Sequence, residues 1–240
     1  MAFIDDLLRE QPKAHFTLID PEDQTPAEAG RRARVCEGYG TDAVMIGGST
    51  VSDRVKVFDT VKAVKECVDV PTILFPNSAE AVSENADYIF FMMLLNSRDY
   101  RYLVGEQLKG APLVEKWGIK PISMGYIIVS TGCKETTVER MAKLDKINGD
   151  DVEKAVNYAI FAERFLGMSC VYLEAGSGAE KAVSAEMIGA VRDAVSIPII
   201  VGGGITCGRI AKEKTDAGAD VIVNGTAVES NIEVIEDIIR

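Results

Sequence analysis

Eight short apolar runs, most of them rich in β-branched residues and separated by room for a helix, constrain this chain more than any other feature. They fall at 15–19, 43–46, 72–75, 88–94, 121–129, 170–173, 197–201 and 221–223. Near-continuous hydrophobicity is the mark of parallel strands buried on both faces. The stretches between them carry ordinary helix punctuation. Thr25-Pro26 opens 27–37 and Asp150 opens 152–166, the runs 187–195, 210–217 and 232–239 are also helical, and Gly167 and Gly218 stand just past helix ends. Strand and helix alternating eight times in 240 residues predict an α/β fold, a (β/α)8 TIM barrel, which reaches about 250 residues as one unit. A doubly wound sheet is the weaker alternative, because no G-x-G-x-x-G follows the first strand. Residues 40–49 resemble 218–227 and residues 68–75 resemble 195–202, as expected for related units. No Ser/Gly/Pro-rich linker interrupts the pattern, so 1–240 reads as a single domain. Two stretches break the rhythm. After Phe75-Pro76-Asn77-Ser78 only a short helix, 79–85, fits, so the third unit reads as truncated. The polar stretch 130–149 is long for a loop, and loops of that length are often functional lids.

Composition removes several function classes. The 26 Lys+Arg against 37 Asp+Glu give a net charge of −11, which argues against a nucleic-acid partner. The single histidine, His15, excludes a multi-histidine zinc site. It lies in a strand-like run with no nucleophile elbow, so a Ser-His-Asp or Cys-His triad has no natural place. Five scattered cysteines without a C-x-x-C pair read as reduced, buried small residues. The start, MAFIDDLLREQ, is acidic and amphipathic, unlike a secretory signal. No apolar run approaches the ~18 residues of a membrane span. A soluble, cytoplasmic protein is expected.

Sites in such barrels lie at the C-terminal ends of the strands. Those ends are Asp20-Pro21, Gly47-Gly48-Ser49-Thr50, Pro76-Asn77, Glu174-Ala175-Gly176-Ser177-Gly178, Gly202-Gly203-Gly204 and Asn224-Gly225-Thr226. Glycine lacks a Cβ, so its N–H can approach an anion closely. Glycine-rich exits at strands seven and eight sit where barrels commonly bind phosphate. Asp20 follows an apolar strand directly and fits a Mg²⁺ ligand, with the Ser49 hydroxyl beside it; a turn-capping Asp is the bland alternative. Glu174 also points into the bowl, placed to take a proton from a substrate hydroxyl or to hydrogen-bond a bound polyol. Glu22 and Asp23 read as a solvated face.

Together, His15-Phe-Thr-Leu-Ile-Asp-Pro21, Gly47-Gly-Ser-Thr50, Tyr172-Leu-Glu-Ala-Gly-Ser-Gly178, Gly202-Gly-Gly-Ile205 and Asn224-Gly225 resemble the geranylgeranylglyceryl phosphate synthase family, the archaeal form more than the bacterial. The resemblance covers essentially the whole chain. It implies a phosphate-binding TIM barrel with a reduced third helix. The implied reaction joins geranylgeranyl diphosphate to the primary hydroxyl of sn-glycerol 1-phosphate, with Mg²⁺ as cofactor, as the first ether-bond step of archaeal lipid synthesis. By that resemblance Asp20 and Ser49 hold Mg²⁺. Tyr172, Leu173, Glu174, Ala175, Gly176, Ser177, Gly178, Gly203, Gly204, Gly225 and Thr226 hold the glycerol phosphate, and Glu174 is catalytic. The family's bacterial version takes a longer, heptaprenyl donor. A homo-oligomer and transient contact with a membrane surface are also implied. Many relatives carry a Lys soon after the Asp-Pro; here Glu22-Asp23-Gln24 stand instead. The prenyl tail needs an apolar trench, expected from Phe75, Phe90, Met92, Met93, Leu94 and Tyr126. A sugar-phosphate isomerase is the competing enzyme, but it needs a second acid or base at strand five, where no carboxylate stands. A flavin enzyme would use the same phosphate site, and a non-catalytic barrel would not keep polar groups at six strand exits.

Overall fold

Each of the eight apolar runs forms a strand, and the strands pair in chain order, all parallel, until the eighth closes on the first. The structure is a computed structural model that describes residues 3–51, 53–132, 137–225 and 232–239. The strands are β1 (Ala14–Ile19), β2 (Ala43–Ile46), β3 (Thr72–Leu74), β4 (Tyr88–Leu94), β5 (Lys120–Ile128), β6 (Cys170–Glu174), β7 (Ile199–Gly202) and β8 (Val221–Asn224). Strand alternation sends every second side chain into the bore. Phe16, Met45, Phe90, Met124, Tyr172 and Ile200 fill it and are fully buried. The intervening residues, such as Val44, Leu74, Leu173 and Val201, face the helices. At the bottom the bore is plugged by α1 (Phe3–Glu10), whose Phe3 ring stacks on Tyr88 at 4.5 Å and on Phe16 at 6.3 Å.

The outer helices are α2 (Pro26–Tyr39), α3 (Arg54–Lys65), α4 (Glu106–Trp117), α5 (Thr137–Ala142), α6 (Val152–Ile160), α7 (Ala185–Ala194), α8 (Gly208–Asp216) and α9 (Val234–Ile239). Their ends follow local chemistry. The Thr25 hydroxyl accepts from the Glu28 N–H at 3.3 Å, Pro26 opens α2, and Gly40 closes it with φ +106°. One wide turn extends α6 to Phe165, and Gly167 then ends it.

Between β3 and β4 the chain makes only a three-residue 3₁₀ turn, Ala79–Ala81, even shorter than the helix expected at 79–85. The stretch 130–149 is not an open loop in its described part. It contains α5, and its end is tied by the Ser130 N–H to the Ile147 carbonyl at 2.8 Å. The Asn96 amide donates to the carbonyls of Ile128 at 2.9 Å and Asp145 at 3.3 Å. Among the described residues, no helix is long and apolar enough to cross a membrane.

Candidate active site

The C-terminal mouth of the barrel opens into a cavity of about 700 Å³. Glu174, the last residue of β6, has its side chain inside it and is buried. Its Oε1 accepts from the Gly176 N–H at 2.6 Å. The Tyr172 hydroxyl, two residues earlier on the same face, also donates to the carboxylate. Burial raises the Glu174 pKa above the ordinary glutamate value, against those two hydrogen bonds. It is therefore a stronger base than a solvated carboxylate.

The glycines after β7 make this arrangement possible. A methyl at Gly202 would lie 2.1 Å from the Tyr172 hydroxyl, and one at Gly203 would lie 2.5 Å from Glu174 Oε1. Gly203 and Gly204 also hold φ of +80° and +70°, a region L side chains rarely adopt. Gly204 lies against the backbone of Lys181 and Ala182. So Gly202 and Gly203 leave room for the acid and its tyrosine. Gly176, Ser177, Gly178, Gly203, Gly204 and Gly225 line one end of the cavity. Leu173 and Ala175 do not: both are buried in the layer between sheet and helices. Thr226 lies outside the described residues. The Asn224 amide donates to the Ile205 carbonyl at 2.7 Å, joining the exits of β7 and β8.

Asp20 stands across the mouth, after β1. Its Oδ1 accepts from the Glu22 N–H at 2.8 Å, and a methyl at Gly48 would lie 1.8 Å from its Oδ2. The carboxylate thus lies against the glycine backbone at the exit of β2, with Ser49 beside it on the cavity wall. Partial burial raises the Asp20 pKa, and the neighbouring Asp23 and Glu22 add to the rise, while the Glu22 N–H and Lys56 oppose it. Among the described residues the cavity is lined by four carboxylates, Asp20, Asp23, Glu106 and Glu174, and by no Lys, Arg or His. No three acids, histidines or cysteines converge among the described residues. One carboxylate with hydroxyl and carbonyl oxygens nearby fits Mg²⁺, which binds through one or two carboxylates plus substrate phosphates rather than in an all-protein cage.

From this polar rim the cavity runs outward past β4. Phe75, Phe90, Met92, Leu94 and Tyr126 line it. Met93 does not: alternation turns it to the helix layer on the far side of the sheet. The outward-facing Ile89 and Phe91, with Val82 and Gly110 of α4, line the cavity as well. The trench therefore leaves the barrel through the gap where a full third helix would stand. Its floor near Glu174 is aromatic, with Phe75 centred 5.5 Å from Tyr126 and 5.8 Å from Tyr172. Glu106 on this wall is neutralised by Arg101 at 3.0 Å and Lys109 at 2.9 Å, and also accepts from the Ala79 N–H.

Two groups at this site had no role assigned to them from the sequence. Lys56, in the first turn of α3, pairs with Glu22 at 2.7 Å; it lies 36 residues after Asp20 and carries no motif. Asn77, after β3, donates to the Ser49 carbonyl at 2.8 Å and lines the cavity; an isolated Asn in a turn gives no signal.

The PcrB family model matches residues 5–240. A geranylgeranylglyceryl phosphate synthase of Pyrococcus abyssi is 45% identical over 234 residues, covering 98% of this chain and 91% of the relative. That of Methanococcoides burtonii is 46% identical, covering 99% and 96%. Among solved structures, the Thermoplasma acidophilum (S)-3-O-geranylgeranylglyceryl phosphate synthase, in complex with its substrate sn-glycerol-1-phosphate, superposes with a TM-score of 0.93 at 38% identity, covering 100% of this chain and 97% of that one. An N-acetylmannosamine-6-phosphate 2-epimerase of Clostridium perfringens shares the fold alone, at TM-score 0.59, 16% identity and coverage of 92% and 90%.

Proposed function

The chain belongs to the PcrB family, and from that premise we infer that it joins geranylgeranyl diphosphate to the primary hydroxyl of sn-glycerol 1-phosphate. The new bond is a C–O ether bond, the allylic C–O bond to diphosphate breaks, and diphosphate leaves. The observation that carries this reading is the shape of one cavity. A buried carboxylate among glycines stands at one end, and an apolar trench leaves the other through the gap at the third helix.

The glycerol phosphate lies over Gly203, Gly204 and Gly225, where close backbone approach needs the missing Cβ atoms. Its free hydroxyl faces Glu174, which takes the proton as the ether bond forms. Tyr172 and the Gly176 N–H hold that carboxylate in one orientation. General-base help of this kind is worth about 10²–10⁴ in rate. The prenyl tail lies in the trench, and its allylic carbon sits above the rings of Phe75, Tyr126 and Tyr172. Positioning matters most here, since oxygen and carbon must meet within about 3–3.5 Å. Asp20 and the Ser49 hydroxyl would hold Mg²⁺, which would supply charge neutralisation at the leaving diphosphate. Lys56 supplements it from the rim by exchanging Glu22 for the diphosphate. The lipid product leaves along the trench, which opens near the protein surface and suits brief contact with a membrane.

The test incubates purified protein with sn-glycerol 1-phosphate and radiolabelled C10, C15, C20 and C35 prenyl diphosphates, with Mg²⁺ or EDTA. A phosphatase-sensitive, solvent-extractable product is expected, greatest with the C20 donor and abolished by EDTA. No extractable product with any donor would overturn the function, and full activity in EDTA would overturn the metal.

A further inference from the structure

Asn77, which lines the cavity, carries a buried side-chain oxygen that no group of the protein satisfies. Its Nδ2 donates to the Ser49 carbonyl at 2.8 Å. A carbonyl only accepts, so this bond fixes which end of the amide is nitrogen and which is oxygen. The Oδ1 at the other end is buried and has no hydrogen-bond partner in the protein. Leaving such an acceptor unpaired is unfavourable, so a ligand that meets it binds more tightly for doing so.

What could meet it follows from its neighbours. Asp20, Ser49 and Asn77, at the exits of β1, β2 and β3, line the cavity together, with Asp20 against Gly48 and the Asn77 amide on the Ser49 carbonyl. The fixed oxygens are acceptors, and among the described residues no Lys, Arg or His lines the cavity. A phosphate oxygen placed against Asn77 Oδ1 would set acceptor against acceptor. A hard divalent cation, or a water of its first shell, fits instead, since Mg²⁺ takes oxygen ligands in octahedral array and keeps several waters.

We propose that Asn77, braced by the Ser49 carbonyl, is a further oxygen partner of the divalent cation held at Asp20. The proposal rests on the metal reading of Asp20 above and adds a third strand exit to that site. It gives the amide a task distinct from substrate binding: it fixes the cation without adding a negative charge that would repel the diphosphate.

The test is Mn²⁺ binding, followed by electron paramagnetic resonance of free Mn²⁺, with the unreactive thiolodiphosphate analogue of geranylgeranyl diphosphate present and no glycerol phosphate. Wild type, Asp20→Ala, Asn77→Leu and Asn77→Asp are compared, with calorimetric binding of sn-glycerol 1-phosphate as the check on folding. Loss of a supporting partner of a metal site lowers affinity about 10–100-fold. Asn77→Leu is expected to weaken Mn²⁺ by at least tenfold with glycerol phosphate binding unchanged. Asn77→Asp, which keeps an oxygen, is expected to bind Mn²⁺ at least as tightly as wild type. Wild-type Mn²⁺ affinity in Asn77→Leu would overturn the proposal while leaving the metal reading standing. Equal loss in Asn77→Leu and Asn77→Asp would overturn it in favour of a mere brace for Ser49. Loss of glycerol phosphate binding with Mn²⁺ binding intact would overturn it in favour of a substrate-hydroxyl contact. No protein-dependent Mn²⁺ binding by wild type would remove the metal reading and this proposal together.

Discussion

At the scale of single residues, Glu174 is where burial, geometry and chemistry meet. It acts as a base only when ionised, and burial holds its pKa above the ordinary glutamate value. As the proposed base, it is expected to make the rate rise with pH through that raised pKa, with the acid limb higher than a solvated glutamate would place it. Glu174→Gln is expected to lower kcat by about 10²–10⁴ and to remove that limb, with a smaller change in KM for glycerol phosphate; a pH–rate profile of both forms checks it. Gly203→Ala addresses the same point from the other side. Its methyl would lie 2.5 Å from Glu174 Oε1 on backbone at φ +80°, so a loss of about 1–3 kcal/mol in stability is expected. Activity should fall further than stability does, as denaturant titration beside kinetics would show. Glu174 was legible in the sequence because it directly follows an apolar strand. The task of Gly202 and Gly203 was only half legible. A glycine run predicts close approach of something, and the structure shows that the Tyr172 hydroxyl and the Glu174 carboxylate are what first come close.

At the scale of elements, the missing helix after β3 matters more than any helix that is present. The spacing between β3 and β4 predicts a truncated unit, and the three-residue turn there is shorter still. The trench followed from that gap, but its path did not. Apart from Met93, sequence reasoning placed it on residues facing the bore, whereas it also passes over Ile89 and Phe91 on the outer face. Side-chain alternation decides this, and a hydrophobic run alone does not say which face meets solvent, ligand or helix. Gly110 lies on that outer wall, where a methyl would be 3.8 Å from Val82 and 4.0 Å from Ala79. Gly110→Leu fills the trench while gaining about 0.5–1 kcal/mol of helix propensity. It is expected to fold normally, to lose most activity with the C20 donor and to keep it with C10; unchanged use of C20 would remove Gly110 from the trench. The first turn of α3 supplies the other element-scale prediction. Lys56→Gln is expected to raise KM for the prenyl donor about tenfold, the scale of one hydrogen bond to a charged group. KM for glycerol phosphate should stay near wild type, and the effect should shrink at high salt.

At the scale of the whole molecule, the net charge of −11 and the two anionic substrates proposed for it require that charge be handled locally. The described lining agrees, since it holds four carboxylates and no cation. The same economy governs the only histidine. His15 lies 5% exposed in β1, and its Nε2 meets Asn224 Oδ1 at 3.2 Å while Nδ1 meets the Thr41 hydroxyl at 2.9 Å. The Asn224 nitrogen is already given to Ile205, so its Oδ1 must accept, Nε2 carries the hydrogen and Nδ1 accepts from Thr41. Both ring nitrogens are satisfied in the neutral form, and burial lowers the pKa from 6.5 to about 4. A proton that the folded protein refuses is one that the unfolded chain accepts. Between pH 6.5 and about 4 the unfolded state therefore binds more protons, and stability falls as the solution is acidified through that window. The contribution is complete above pH 6.5, and its loss by pH 4 amounts to about 3 kcal/mol. In a domain of this size that corresponds to roughly 6–12 °C in Tm. His15→Gln can donate to Asn224 and accept from Thr41 but does not titrate. It is expected to melt below wild type at pH 7.5 and to close or reverse that gap at pH 4.5. Calorimetric melts at the two pH values decide it, and an equal gap at both would mean that His15 does not link protonation to the closure of β1 on β8.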